Sequence, residues 1–119
     1  MKQHNVIIAG SRSFDDYEKL SDFMDTMISS GVHVENVVCG EASGADELGR
    51  LWAEKNRVSV ISMPADWDKY GKRAGYIRNS QMAVVGTVLI AFWDGVSKGT
   101  KHMIDIATKK KIPTYIVRY

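Results

Sequence analysis

"TVLIAFWDGVSKGTKHMIDIATKKKIPTYIVRY", residues 87–119, reads as a strand, a helix and a second strand. The run 87–93 is apolar at nearly every position and rich in β-branched and aromatic residues, which suits a strand covered on both faces. Thr100, Met103, Ile104 and Ala107 then recur at helical spacing. Lys109, Lys110 and Lys111 fall at the negative pole of that helix's dipole, and Pro113 lies just beyond its end. The run 113–119 supplies the next strand. A helix placed between two such strands implies a right-handed crossover and a parallel pair.

The same grammar extends towards the N-terminus. Apolar runs at 5–9, 36–39 and 58–62 read as three further strands. Between them, Tyr17, Leu20, Met24, Met27 and Ile28 form one helical face, with Ser13 expected as N-cap and Gly31 as stop. Ala45, Leu48, Leu51 and Trp52 form a second face, and Ile77, Ser80, Gln81, Val84 and Val85 a third, less regular one. Alternating strands and helices predict an α/β, Rossmann-like fold: about five strands in a mainly parallel sheet, with helices on both faces. No repeat, low-complexity tract or linker interrupts the pattern, so residues 1–119 are expected to form a single domain.

Composition narrows the function. The 119 residues are 45% hydrophobic and 25% charged, which indicates a packed core. Sixteen basic against fourteen acidic residues leave a net charge of +2, without the strong basic bias of a typical nucleic-acid-binding domain. Cys39 is the sole cysteine, in keeping with a reducing compartment, and His4, His33 and His102 lack metal-ligand spacing. No apolar run is long enough for a membrane helix or a signal peptide. The expectation is a cytoplasmic protein with no metal, no cofactor and no membrane association.

The polar and glycine residues are unevenly distributed. "GSRSFDD" (10–16), "CGEASGADE" (39–47), "MPADWDKYGKRAGYIRNSQM" (63–82) and "DGVSKGT" (94–100) each follow a strand, so all four gather at the carboxyl rim of the sheet. The opposite rim has only ordinary turns. Ligands of open α/β sheets bind at the carboxyl rim.

Each segment offers ligand chemistry. Gly10 permits close backbone approach, Ser11 offers a hydroxyl, and Arg12 a planar fork suited to phosphate; the plainer alternative is a strand-to-helix turn with Arg12 solvated. Ser43 and Asp46 fit a helix-capping pattern, while Gly40 and Gly44 would equally open the backbone for a phosphate or ribose that Asp46 could bond. The connection after the third strand reads as a long loop. Its Trp67, Tyr70 and Tyr76 would either stack on a base or cover the sheet, with Trp67 partly buried. Its Lys72, Arg73 and Arg78 would meet phosphates, Arg78 and Asn79 standing at a helix start. Ser97, Gly99 and Thr100 open the last helix, whose free N–H groups and dipole favour an anion, and Asp94 precedes them within reach of a sugar hydroxyl. Cys39 reads as a small core thiol, and "GVSKGTK" does not have the spacing of a Walker loop.

Taken together, these motifs resemble the SLOG superfamily of Smf/DprA and Lonely Guy proteins, and within it the small YspA-like branch of bacteria and phages. The resemblance rests on Gly10-Ser11-Arg12, Gly44-Ala45-Asp46, Ala65-Asp66-Trp67 with Gly71, Ala74-Gly75, Arg78-Asn79 with Met82, and Phe92 through Thr100. It implies a Rossmann-like fold and binding of a nucleotide or nucleotide-derived molecule, such as an NAD- or ADP-ribose-like or cyclic signalling nucleotide, with relatives suggesting a homodimer. Lonely Guy enzymes cleave the N-glycosidic bond of nucleoside monophosphates. Aligned on their signature, Arg78 takes the arginine and Gly99-Thr100 the glycine-threonine pair, but Met103 stands at the catalytic glutamate. Glycosidic cleavage needs a carboxylate that methionine cannot supply.

The expected function is therefore ligand binding, as a sensor or sequestering protein. Its site would comprise Gly10, Ser11, Arg12, Gly44, Asp46, Trp67, Arg78, Asn79, Asp94, Gly95, Ser97, Gly99 and Thr100. The alternative is a nucleotide N-glycosidic hydrolase with Asp46, Asp94 and Arg78 as candidate catalytic groups. Nucleic-acid binding, by analogy with DprA, is disfavoured by the charge.

Overall fold

The computed structural model describes residues 3–119. The chain runs β1 (Gln3–Gly10), α1 (Tyr17–Ser29), β2 (His33–Cys39), α2 (Ala45–Lys55), β3 (Ser59–Ser62), α3 (Trp67–Tyr70), a 3₁₀ turn (Gly71–Arg73), α4 (Ala74–Val85), β4 (Val88–Trp93), α5 (Lys98–Lys109) and β5 (Thr114–Arg118). All five strands are parallel in the order β3-β2-β1-β4-β5. The fold is the expected α/β Rossmann-like one.

Strand periodicity explains the two cores. Val6 and Ile8 of β1, with Val88, Ile90 and Phe92 of β4, face one side and meet Leu20, Met24 and Trp52 from α1 and α2. Ile7, Ala9, Leu89 and Ala91 face the other and meet Met82, Met103, Ile104 and Ala107 from α4 and α5. Both strands are thus apolar throughout, because neither face meets water. Each fully buried Ile, Leu or Phe contributes about 1.5–3 kcal/mol by leaving water.

Several local expectations need correction. Asp16, not Ser13, caps α1: its Oδ1 accepts from Lys19 N at 3.0 Å, while Ser13 Oγ bonds the Tyr119 hydroxyl. Residues 63–82 are not a loop but hold α3, the 3₁₀ turn and most of α4. Arg78 and Asn79 accordingly lie in the second turn of α4 rather than at its start. On α4 the buried residues are Ala74, Asn79, Met82 and Ala83, and Val84 is 75% exposed. The buried polar Asn79 interrupts the apolar periodicity of the inner face, so the spacing points to the other face. On α2, Gly49 is buried and Leu51 is exposed, because the glycine seats directly against Ile8. Cys39 is a buried thiol, raised to about 11 chiefly by burial and then by the nearby Asp46 carboxylate.

Among the described residues no helix is long and apolar enough to cross a membrane. Nor do three or more His, Cys, Asp or Glu side chains gather as a metal site among them.

Candidate ligand-binding cleft

β1 and β4 are neighbours, yet the helices that follow them leave to opposite faces: α1 packs on the first core and α5 on the second. A crevice must open where the two chains diverge, and this is the topological switch point of the sheet. A cleft of about 250 Å³ occupies it. Arg12, Asp46, Arg78, Asn79, Ser97, Gly99 and Thr100 all line it, together with Gly10 and Trp67. Arg12 comes from the turn after β1, Asp46 from α2, Arg78 from α4 and Thr100 from α5, so four separated segments converge. An adjoining hollow of about 370 Å³ shares Arg12, Ala42, Trp67 and Arg78 and adds Gly40, Glu41 and Ser43. Cleft and hollow together fall within the roughly 300–1,000 Å³ typical of small-molecule sites.

The charged groups differ in how they are held. Arg12 is exposed and makes no hydrogen bond or ion pair among the described residues. Arg78 is fixed: Nη1 donates to the Gly40 carbonyl at 2.7 Å, and Nε to Asn79 Oδ1 at 3.1 Å. A Cβ on residue 40 would collide with the guanidinium, so glycine is what admits the arginine. Lys72 adds a third cation to the lining.

Asp46 opposes them. It is 5% exposed, and its Oδ2 accepts from Ala42 N at 3.2 Å. Burial pushes its carboxyl up to about 6, against the opposing pull of Arg78, the Ala42 and Gly40 amides and Arg12. The expected capping pattern with Ser43 does not form. Gly44 is the N-cap, and Asp46 reaches back to order the loop before it. Gly44 has φ +79°, and a side chain there would strike the Ser11 carbonyl and the Arg12 backbone.

Ser97, expected at the opening of α5, is its N-cap, its Oγ accepting from Thr100 N at 3.4 Å and lying 3.1 Å from Thr100 Oγ1. The amides of Lys98 and Gly99, in the first turn, have no carbonyl to pair with inside the helix. Gly99 has open space where a Cβ would stand.

Other expected site residues lie outside the cleft lining. Ser11 is 2% exposed; its amide donates to the Phe92 carbonyl at 3.0 Å and its Oγ accepts from Asp94 N at 3.2 Å, joining the ends of β1 and β4. Asp94 Oδ1 accepts from the amides of Val96 and Ser97, both at 2.8 Å, and builds the turn into α5. Those two bonds, Ser97's first, hold its carboxyl below the ordinary range. Gly95, at φ +85°, underlies the Arg118 guanidinium. Gly44 shapes the loop without lining either hollow. Gly10 does line the cleft, but the room left by its missing Cβ is taken up inside the protein, by the Phe92 carbonyl and Ala45. Trp67 is 52% exposed at the cleft, further out than expected, and Tyr76 lines it too, whereas Tyr70 and Arg73 do not.

Sequence reasoning missed Glu41 and His102. Glu41 adopts φ +61° in the hollow, and its Oε1 accepts from Arg50 Nη1 at 2.8 Å and Ser62 Oγ at 2.7 Å. Non-glycine residues at such φ values are uncommon, but nothing in "GEAS" announces one. His102 lies 3.2 Å from Asn79 Nδ2 and packs against Tyr76, with ring centroids 4.4 Å apart. Burial lowers its pKa below the ordinary value.

A model of the YspA, cpYpsA-related SLOG family (YAcAr) matches residues 4–70, more than half of the chain. The chain belongs to the YspA, cpYpsA-related SLOG family. It is also similar to the Gene 61 protein of Mycobacterium phage D29, with 35% identity over 114 residues that span 91% of each chain. The SLOG match takes in β1, β2, β3 and α3 and therefore Arg12, Gly44, Asp46 and Trp67. Membership in this SLOG family indicates nucleotide-related function. Met103 is buried and lines the cleft of this SLOG protein.

Proposed function

We propose that the protein binds a nucleotide-derived ligand in the cleft between β1 and β4 and acts as a sensor or sequestering protein. One observation carries the reading: Arg12, Arg78 and the first turn of α5 line a single cleft at the switch point. Guanidinium groups bind phosphate bidentately, and helix N-termini add amide donors and a favourable dipole. In this reading Arg12 and Arg78 pair phosphate oxygens, Gly99 and Thr100 cradle them, and Asp46 accepts from a ribose hydroxyl. Trp67 and Tyr76 offer flat faces to a base. An NAD- or ADP-ribose-like molecule or a cyclic signalling nucleotide would combine these groups. We extend the proposal to a cytoplasmic homodimer, a state that sedimentation would test.

A second reading, N-glycosidic hydrolysis, is favoured by Asp46. A buried carboxyl with a pKa of about 6 beside two arginines has the tuning of a general acid or base. Met103 weighs against it, as a thioether neither stabilises an oxocarbenium ion nor activates water. Thermal shift with nucleoside monophosphates, NAD, ADP-ribose and cyclic nucleotides, followed by chromatography for released base, separates the two. Stabilisation without base release supports binding. Base release abolished by Asp46→Asn would establish the hydrolase, and no stabilisation by any of these compounds would refute both.

A further inference from the structure

We propose that Asn79 is a positioning residue of the cleft: its amide fixes the Arg78 guanidinium and ties it to the first turn of α5. The inference rests on the reading of the cleft as a phosphate site.

Asparagine is a poor resident of a helix interior, yet Asn79 sits inside α4 and is 5% exposed. A buried amide persists only where its polar atoms are satisfied. Asn79 Oδ1 accepts from Arg78 Nε at 3.1 Å, and Nδ2 donates to the Gly99 carbonyl at 3.1 Å. Nδ2 also lies 3.2 Å from His102 Nδ1. These partners fix the orientation of the amide. Arg78 Nε can only donate and the Gly99 carbonyl can only accept, so the oxygen must face the arginine and the nitrogen the glycine. His102 Nδ1 must then be the acceptor, which makes the ring neutral with its proton on Nε2. Its depressed pKa, caused by burial, agrees with a neutral ring.

Two consequences follow for the cleft. Arg78 is anchored twice, at Nε by Asn79 and at Nη1 by Gly40, and its remaining N–H groups make no hydrogen bond among the described residues, which leaves them to a ligand. A side chain already held loses less conformational freedom on binding. Moreover, one amide bonds both the arginine of α4 and the turn of α5 that carries the unpaired backbone donors. The two phosphate-binding elements are thereby held in one relative position. Both polar groups of Asn79 are engaged within the protein, so its part is to place Arg78 and α5 rather than to touch the ligand.

The test compares wild type, Asn79→Ala and Asn79→Asp by ¹H–¹⁵N spectroscopy of arginine Nε–H groups and by titration with AMP. The Arg78 resonance is assigned by its loss in Arg78→Lys. In wild type it should be protected from solvent exchange. Asn79→Ala should remove that protection and weaken AMP binding about tenfold, in line with one charge-assisted hydrogen bond. Asn79→Asp keeps the acceptor for Nε but loses the donor to Gly99, so the Arg78 resonance should stay protected. That variant keeps the test decisive if Asn79→Ala does not fold. Protection unchanged in Asn79→Ala, or lost in Asn79→Asp, would overturn the proposal. The spectra need no ligand, so wild type that fails to bind AMP counts against the phosphate reading alone.

Discussion

The Gly40 carbonyl accepts a hydrogen bond from Arg78 Nη1 at 2.7 Å, and residue 40 has no room for a Cβ beside that guanidinium. A loop from β2 and a helix that precedes β4 thus meet through one arginine. The obstructing atoms belong to the far end of a flexible side chain, which can swing away. Gly40→Ala should therefore leave stability within about 1 kcal/mol of wild type, as one lost part-buried hydrogen bond would. It should weaken AMP binding by about tenfold or more, because the arginine loses its anchor. Urea denaturation and calorimetric titration measure the two effects separately.

Asp46 should make stability depend on pH. Its carboxyl titrates at about 6 in the folded protein against an ordinary value of 3.8. The folded state therefore holds the proton more tightly than the unfolded state. The stabilisation that results is fully present below 3.8 and is lost as pH rises through about 6. Asp46→Asn cannot ionise and escapes this loss. Relative to wild type it should gain on the order of 2–3 kcal/mol between pH 4 and pH 8. Urea midpoints across that range check the sign.

Asp94 should behave in the opposite sense. Bonds from the Ser97 and Val96 amides depress its carboxyl, so its contribution is present at neutral pH and lost as pH falls through the depressed value. Asp94→Ala should lower the melting temperature by a few degrees at pH 7. The gap from wild type should narrow in acid, below the ordinary carboxyl value of 3.8. Melting curves at pH 7 and pH 3 provide the comparison.

Gly44→Ala should be the most damaging of these changes. Residue 44 has φ +79°, and a methyl group there meets backbone rather than a movable side chain. Strain and collision together should cost about 2–4 kcal/mol, visible as a lower urea midpoint.

How far the sequence announced this structure depended on what each residue touches. β1 and β4 were legible because burial on both faces leaves nearly unbroken apolar runs. Ser97, Gly99 and Thr100 were legible because a helix start has its own chemistry, independent of the rest of the fold. Arg12, Asp46 and Arg78 could be assigned to one rim, since parallel strands send every following segment there. The extent of α4 was hidden by Asn79, a polar residue buried to serve a contact with Gly99, twenty positions away. The roles of Ser11 and Asp94 were hidden for a related reason: they bond each other across β1 and β4, and local spacing does not record a partner 83 residues distant. The left-handed backbone of Glu41 left no trace in residue type either.

The central claim is that Arg12 and Arg78, brought into one cleft, bind the phosphate of a nucleotide-derived ligand. Its most direct test is calorimetric titration of AMP, ADP-ribose and NAD into wild type, Arg12→Gln and Arg78→Gln at matched ionic strength. The account predicts saturable binding of at least one of these compounds by wild type, weakened about tenfold or more by each substitution. Wild type that binds none of them, or binding that survives both substitutions unchanged, would contradict it.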